Sequence, residues 1–122
     1  MSLVSNLNQS SESEKKINTF LKHNHINSII ELEILFLLNK NSYQEFNSVM
    51  LEDKLHVDKT TIKNAITKLN DLSLIKAGRA IHQNECYGIS ANKESRSILD
   101  LLEDKYVSSP RLVLEIIRNS NN

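Results

Sequence analysis

A helical repeat of apolar residues between positions 58 and 72 constrains the fold most strongly. Five apolar residues recur at i, i+3, i+4, i+7 and i+10, namely Ile62, Ala65, Ile66, Leu69 and Leu72. This spacing places them on one face of an α-helix. Asp58 precedes the repeat, and Asp is a favourable N-cap residue. We therefore predict a helix that begins after Asp58 and buries one apolar stripe.

The opposite face of this helix is polar and basic. It carries Thr60, Lys63, Asn64, Thr67 and Lys68, which supply two positive charges, three short hydrogen-bonding side chains and no acid. A helix with such a face can enter the major groove, where Asn pairs with adenine and Lys pairs with guanine or phosphate. The alternative is an ordinary solvated helix face.

The elements around this helix predict a mainly α fold with a small β-hairpin (α+β). A capping box at Ser28 and Glu31 predicts a core helix over 29–38, and a polar loop over 39–45 leads to a helix over 47–55. After the 58–72 repeat, residues 74–77 and 85–90 are short strand candidates. The connection over 78–84 is turn-rich, which favours a hairpin with a mobile tip.

The two ends of the sequence predict flanking segments. Residues 1–13 are rich in Ser, Asn and Gln, so we expect a flexible tail. Helical patterns follow over 14–25 and 93–119, with Asn92 as an N-cap and a restart at Pro110. With 122 residues the chain is too short for two full domains, and we predict a single domain over 14–122 with a core over 28–90.

The order helix, helix, turn, helix, hairpin resembles a known family. The stretch from Leu51 to Ile75 reads LEDKLHVDKTTIKNAITKLNDLSLI. It is similar to the winged helix-turn-helix bacterial transcription regulators, and the flanking helices give it a MarR-like layout. Three residues depart from the family pattern: Glu52 stands at a usual Ala, and His56 and Ser73 stand at usual Gly positions. The resemblance implies a winged helix-turn-helix core whose third helix reads double-stranded DNA.

The formal net charge is zero, with fifteen basic and fifteen acidic side chains, but the charge is unevenly distributed. Residues 1–53 carry −3, residues 54–82 carry +4 and residues 83–122 carry −1. The basic segment coincides with the helices and hairpin that a winged helix uses on DNA. It is therefore the expected footprint on phosphate.

The predicted DNA-binding residues combine that helix face with nearby cations. They are Lys59, Thr60, Thr61, Lys63, Asn64, Thr67, Lys68, Lys76 and Arg79. Arg79 is expected at the tip of the hairpin, where it would reach a minor groove or a flanking phosphate; the alternative is an ordinary exposed Arg. His56 and His82 would add positive charge as the pH falls.

The flanking helices carry more apolar surface than a winged core of this size needs. We predict that they form a homodimer, because a two-fold dimer presents two recognition helices to successive major grooves. The predicted dimerisation residues are Ile17, Phe20, Leu21, Ile98, Leu102, Tyr106, Leu112, Val113, Ile116 and Ile117. The alternative is that these helices pack back on the same monomer.

Other function classes find little support in the sequence. With two Gly, a nucleotide-cradling loop is nearly excluded, and no nucleophile or His-Glu-x-x-His motif occurs, so we predict no enzyme and no cofactor.

His23, His25 and Cys86 lack the spacing of a zinc site, and we predict no metal. Cys86 favours a buried core position over a redox role. No membrane span or leader is evident, so a cytoplasmic location is expected.

Two further readings stay open. Overall neutrality and Glu52 favour a winged-helix protein-interaction or adaptor module without DNA binding. A small-molecule effector is also compatible with a MarR-like dimer, although the sequence identifies no ligand.

Overall fold

The computed structural model describes residues 2–81 and 84–120, and the side chains of residues 12–78 and 85–119. The helices in this part of the chain are α1 (Ser2–His23), α2 (Ile29–Lys40), α3 (Ser48–Leu55), α4 (Lys59–Asp71), α5 (Lys93–Ser108) and α6 (Pro110–Ser120). The strands are β1 (Phe46–Asn47), β2 (Ile75–Ile81) and β3 (Asn84–Ile89). The predicted mainly α fold with a small antiparallel sheet is confirmed.

The chain forms two compact units. One is Ser28–Arg96, in which α4 packs against α2, α3 and β2. The other combines Met1–Asn27 with Ser97–Asn122, and in it α1 packs against α6. The boundary at Ser28 coincides with the start of the predicted core. The division into a tail and one domain stays a prediction.

Side-chain caps explain where the helices begin. The Ser28 Oγ accepts a hydrogen bond from the Glu31 N–H at 3.3 Å, and the Asn92 Oδ1 accepts one from the Ser95 N–H at 2.8 Å. Asn47 caps α3 in the same way. Each cap satisfies one of the backbone donors that the first turn of a helix leaves without a partner.

Three helix ends place residues other than Gly in the left-handed region. His25, His56 and Ser73 have φ values of 53°, 55° and 61°. At the end of α4, the Leu74 N–H donates to the Leu69 O and the Ser73 N–H donates to the Asn70 O, which is the Schellman pattern that usually carries Gly. The family-type turns therefore form despite the departures at His56 and Ser73, and those residues carry the strain of the left-handed conformation.

We expect glycine to stabilise the protein at these two positions. His56→Gly and Ser73→Gly should each raise the free energy of unfolding by about 0.5–1 kcal/mol, because the relief of left-handed strain exceeds the extra entropy lost by Gly. The matched variant His56→Val should lower it, since a β-branched residue tolerates positive φ poorly. Urea unfolding of the three variants measures this. A His56→Gly variant less stable than wild type would contradict the assigned turn.

The core of the larger unit is built around α2. Its buried residues are Glu31, Leu32, Ile34, Leu35, Phe36, Leu38 and Asn39, which confirms the predicted core helix and extends it to Lys40. The two polar members have partners. Asn39 Oδ1 accepts a hydrogen bond from Arg96 Nε at 2.8 Å, and Glu31 binds Lys68. Burial of polar groups with their hydrogen bonds satisfied adds specificity at small energetic cost.

The sheet is antiparallel with strand order β1-β3-β2. Phe46 pairs with Tyr87, and Ala77 also pairs with Tyr87 from the other side. The predicted loop over 78–84 is wrong in extent, because β2 continues to Ile81 and β3 begins at Asn84. A register shift between Ala77 and Ala80 absorbs an extra residue of β2, so Gly78 lies in a bulge within the strand. Arg79, predicted at the hairpin tip, lies within β2, and residues 82–83 lie outside the described residues.

The first helix also differs from its predicted bounds. It begins at Ser2, whereas the apolar repeat predicted a start at Glu14. The segment has neither Gly nor Pro, so nothing stops the helix from extending toward the N-terminus. The flexibility of residues 1–13 stays a prediction.

Candidate nucleic-acid interface

The two faces of α4 are divided as the sequence predicts. Ile62, Ala65, Ile66 and Leu69 are buried, each at most 6% exposed. Lys59, Thr60, Lys63, Asn64 and Thr67 are exposed. The exposed set carries two positive charges and three short polar side chains, so α4 presents hydrogen-bonding groups and cations on its outer face.

Thr61 takes part in the N-terminal cap of α4. Its hydroxyl donates to Asp58 Oδ1 at 2.7 Å, and its backbone N–H donates to Asp58 Oδ2 at 3.1 Å. Both Asp58 oxygens thus bind the first turn of α4, which confirms the N-cap. The Thr61 hydroxyl donates within the cap, and its contact with DNA stays a prediction.

The cap makes stability depend on pH. The side-chain hydrogen bond from Thr61, followed by its backbone hydrogen bond, lowers the pKa of Asp58 below its ordinary value of 3.8. A carboxyl group with a lowered folded-state pKa stabilises the fold above its unfolded pKa, and this contribution is lost as the pH falls through the folded-state pKa.

We therefore expect Asp58→Asn to reduce the pH dependence of stability. Asn keeps a side-chain acceptor for the N-cap but has no charge. The difference in unfolding free energy between wild type and variant should be largest near neutral pH and should shrink below about pH 4. Urea unfolding over a pH series measures it. A difference that stays constant from pH 7 to pH 2 would contradict this interpretation.

Lys68 forms an intrachain ion pair with Glu31. Its Nζ lies 3.0 Å from Glu31 Oε1 and 3.2 Å from Oε2, and the Glu31 side chain is only 9% exposed. Lys68 comes three residues after the buried Ala65, and residues three apart are neighbours on a helix surface. Lys68 therefore lies at the edge of the core stripe. The prediction that it faces outward with Lys63 needs correction, because its ammonium group points to α2.

The β2–β3 hairpin carries charges of both signs. Lys76 is exposed on β2, whereas the Arg79 side chain and His82 lie outside the described residues. The carboxylate of Glu45 lies against Gly78, where a Cβ atom would overlap it. On β3, the Tyr87 hydroxyl donates to Glu85 Oε2 at 2.6 Å, and this hydrogen bond raises the pKa of Tyr87 to about 12. The hairpin is thus less basic than its sequence segment indicates.

Comparison with solved structures identifies this arrangement. The transcriptional regulator HlyU from Vibrio vulnificus CMCP6 matches with a TM-score of 0.56 and 21% identity, over 87% of this chain and 99% of that one. The reduced form of MarR from E. coli matches with a TM-score of 0.57 and 14% identity, over 97% and 82% of the two chains. A variant of ZitR from Lactococcus lactis gives 0.57 and 17%, over 98% and 85%. The fold is a winged helix-turn-helix.

At these identities the likeness concerns the fold, and the predicted MarR-like layout is confirmed at that level. No protein-family model and no characterised protein matches the sequence. Within the winged helix, α3 and α4 form the helix-turn-helix with His56 in its turn. The β2–β3 hairpin is the wing.

Most of the predicted dimerisation residues are buried within the chain. Seven of the ten are buried: Ile17, Phe20, Leu21, Ile98, Leu102, Val113 and Ile117. Their burial fits the alternative that these helices pack on the same monomer, since a residue buried within one chain offers no surface to a second copy. The homodimer stays a prediction. Of the other three, Leu112 is 40% exposed, and Tyr106 and Ile116 are partly exposed. The exposed apolar residues Leu101, Val107 and Leu114 are additional candidates.

The described residues also bear on the predictions for a metal site, for Cys86 and for a membrane span. Among the described residues, no three His, Cys, Asp or Glu side chains lie close enough to share a metal ion. Cys86 is a buried thiol in β3. Within residues 2–81 and 84–120, no helix combines the length and hydropathy of a membrane span.

Sequence reasoning missed two acidic residues near α4 and the wing. Glu31 was assigned only a capping role, yet a Glu inside an otherwise apolar core helix signals a partner, because burial of an unpaired carboxylate is costly. Glu45 was assigned to a polar loop. A Cβ atom added at Gly78 would overlap the Glu45 carboxylate, and one added at Gly88 would lie 3.7 Å from Glu45 Cγ. No short-range sequence pattern signals this contact.

Proposed function

We propose that the protein is a sequence-specific DNA-binding transcription regulator that acts as a homodimer. In this proposal α4 enters the major groove and the wing lies on the adjacent backbone or minor groove. The observation that carries it is the exposed face of α4, where Lys63, Asn64 and Thr67 lie together and the acid of this face, Asp71, lies at the C-terminal end of the helix. The regulators whose fold it shares support the same function.

The chemistry of the face fits double-stranded DNA. Asn64 can accept and donate in one plane, as recognition of adenine requires, and Lys63 can bind guanine or phosphate. Lys59 and Thr60 lie at the start of α4, where side chains of a recognition helix commonly meet base edges and phosphates. Lys76 and Arg79 are proposed to bind phosphate from the wing.

A titration of labelled duplex DNA at two salt concentrations tests the proposal. The probe is the duplex enriched from a random pool by the protein itself. Affinity should fall as salt rises, because each phosphate contact releases about 0.9 counterion. Absence of binding even at low salt would contradict the proposal.

We further propose that the homodimer forms through exposed apolar side chains of α5 and α6. Leu112 and Leu114 on α6 are 40% and 45% exposed, and Val107 at the end of α5 is 76% exposed. These residues replace the buried stripe residues as the dimer surface. Leu112 and Leu114 lie on opposite sides of the buried Val113, and exposed apolar side chains are a typical feature of interfaces between subunits.

The dimer surface can be tested by introducing one charge. Leu114→Asp should shift the protein from dimer to monomer, since an unpaired carboxylate would have to be buried at the interface. Light scattering coupled to size-exclusion chromatography measures the mass. The matched control is Asn119→Asp on the exposed side of α6. A wild-type protein that is monomeric at micromolar concentrations would contradict the dimer.

The second candidate function is a winged-helix adaptor that binds protein instead of DNA. Two exposed apolar side chains favour it: Val49 on α3 is 59% exposed, and Tyr43 in the preceding turn is fully exposed. Retention on a DNA or heparin column, run beside a pull-down from lysate, separates the candidates. Recovery of one defined partner without retention on DNA would favour the adaptor. A small-molecule effector stays a prediction without an identified ligand.

A further inference from the structure

We propose that Glu31 and Lys68 form a positioning pair that sets the rotation of α4 about its own axis, and so decides which side chains reach the DNA. This inference rests on the proposed function. It gives Lys68 a role other than the phosphate contact that sequence spacing indicates, and it makes Glu31, a residue that never touches DNA, a determinant of recognition.

The geometry of the pair supports this role. Lys68 Nζ lies within hydrogen-bond distance of both Glu31 carboxylate oxygens, at 3.0 and 3.2 Å. Glu31 is fixed at its own end, because it occupies the first turn of α2 and its backbone N–H donates to the Ser28 cap. A charge-assisted contact to both oxygens is more directional than one apolar contact. The pair therefore connects α4 to a fixed point on the core helix.

The position of Lys68 on α4 makes the pair sensitive to rotation. The buried stripe restrains α4 through Ala65, Ile66 and Leu69, but apolar contacts are non-directional. Lys68 lies at one edge of that stripe, and Asn64, four residues earlier, is its neighbour on the same side of the helix. A rotation of α4 that breaks the pair would also turn Asn64 away from the orientation required for a base contact, since bidentate recognition tolerates little misalignment.

The two possible roles of Lys68, a phosphate contact and a positioning contact, lead to opposite expected effects of Glu31→Gln on DNA affinity. If Lys68 bound phosphate, Glu31→Gln would remove a competing acid, and affinity for DNA would rise. If the pair positions α4, Glu31→Gln weakens binding. The salt slope is the steepness with which the logarithm of the affinity falls with the logarithm of the salt concentration. If the pair positions α4, Lys68→Gln should weaken binding and leave this slope unchanged, whereas loss of a phosphate contact lowers it by about 0.9.

The experiment uses the full chain and four variants, with the duplex enriched from a random pool as the probe. Glu31→Gln and Lys68→Gln should each reduce affinity about 5- to 20-fold at unchanged salt slope, and the double variant should be no worse than either single variant, as expected for residues that act as a unit. Glu33→Gln, a matched change on the same helix, should leave affinity unchanged. Circular dichroism first establishes the conditions in which every variant is folded.

A readout on the DNA-free protein separates this inference from the proposed function. Hydrogen exchange of α4 amides should be faster in both single variants than in Glu33→Gln, because loss of the pair favours local opening. Unchanged exchange in both variants, or tighter DNA binding by Glu31→Gln, would overturn the positioning pair. If wild type binds no DNA, the proposed function fails, and the exchange data alone decide whether the pair restrains α4.

Discussion

Replacing Lys63 and Asn64 by alanine is expected to weaken sequence-specific DNA binding strongly while leaving the fold intact. Both side chains are exposed on α4, and neither contributes to the buried stripe. A good bidentate base contact contributes about 1–3 kcal/mol of discrimination, so the double variant should lose at least about 30-fold in specific affinity. Fluorescence anisotropy with the enriched duplex measures the loss.

The two single variants should lose DNA binding in different ways. Asn64→Ala should reduce affinity for the enriched duplex more than for a shuffled duplex, because it removes a base contact. Lys63→Ala should also lower the salt slope by about 0.9 if its ammonium group binds phosphate. The control is Lys22→Ala with Asn119→Ala, which removes the same side-chain types from exposed positions on α1 and α6. Equal losses in the control would mean that α4 is not the recognition helix.

Replacing Leu69 by alanine is expected to give the largest loss of stability among the changes considered for α4. Leu69 is fully buried, and its backbone O accepts the hydrogen bond from Leu74 that closes the helix end. Truncation of a buried Leu removes transfer free energy and leaves a cavity, which costs about 2–5 kcal/mol. Urea unfolding should show a lower midpoint with an unchanged slope.

The matched change on the exposed face is Thr67→Ala, two residues earlier on the same helix. It should alter the free energy of unfolding by less than about 0.5 kcal/mol, because surface substitutions away from special contacts have small effects. Its effect should instead appear in DNA affinity. A loss below about 1 kcal/mol in Leu69→Ala would contradict the assigned packing of α4.

The elements with strong local signals could be predicted from sequence. The repeat from Ile62 to Leu69 set the orientation of α4, and Asp58, Ser28 and Asn92 marked helix starts through short-range hydrogen bonds. Pro110 marked the start of α6, where the missing N–H of proline is not needed. Each of these signals depends on residues only a few positions apart, so it can be recognised in the sequence without knowledge of the tertiary structure.

Features that depend on distant partners could not be predicted. Lys68 and Glu31 are 37 residues apart, and helix periodicity assigns Lys68 to a polar face without showing which neighbour it meets. β1 has only two residues and therefore no periodic pattern. The stripes on α1, α5 and α6 led to the prediction of a dimer, and most of their residues are buried within the chain. An apolar stripe is the same whether it packs on its own chain or on a second copy.

The affinity of the wild-type protein for two duplexes of equal length and composition tests the central claim most directly. One duplex is enriched by the protein from a random pool, and the other is its shuffled counterpart, measured at the same near-physiological salt concentration. A sequence-specific regulator should bind the first at least about 10³-fold more tightly. Equal affinities for the two duplexes would contradict sequence-specific recognition by α4.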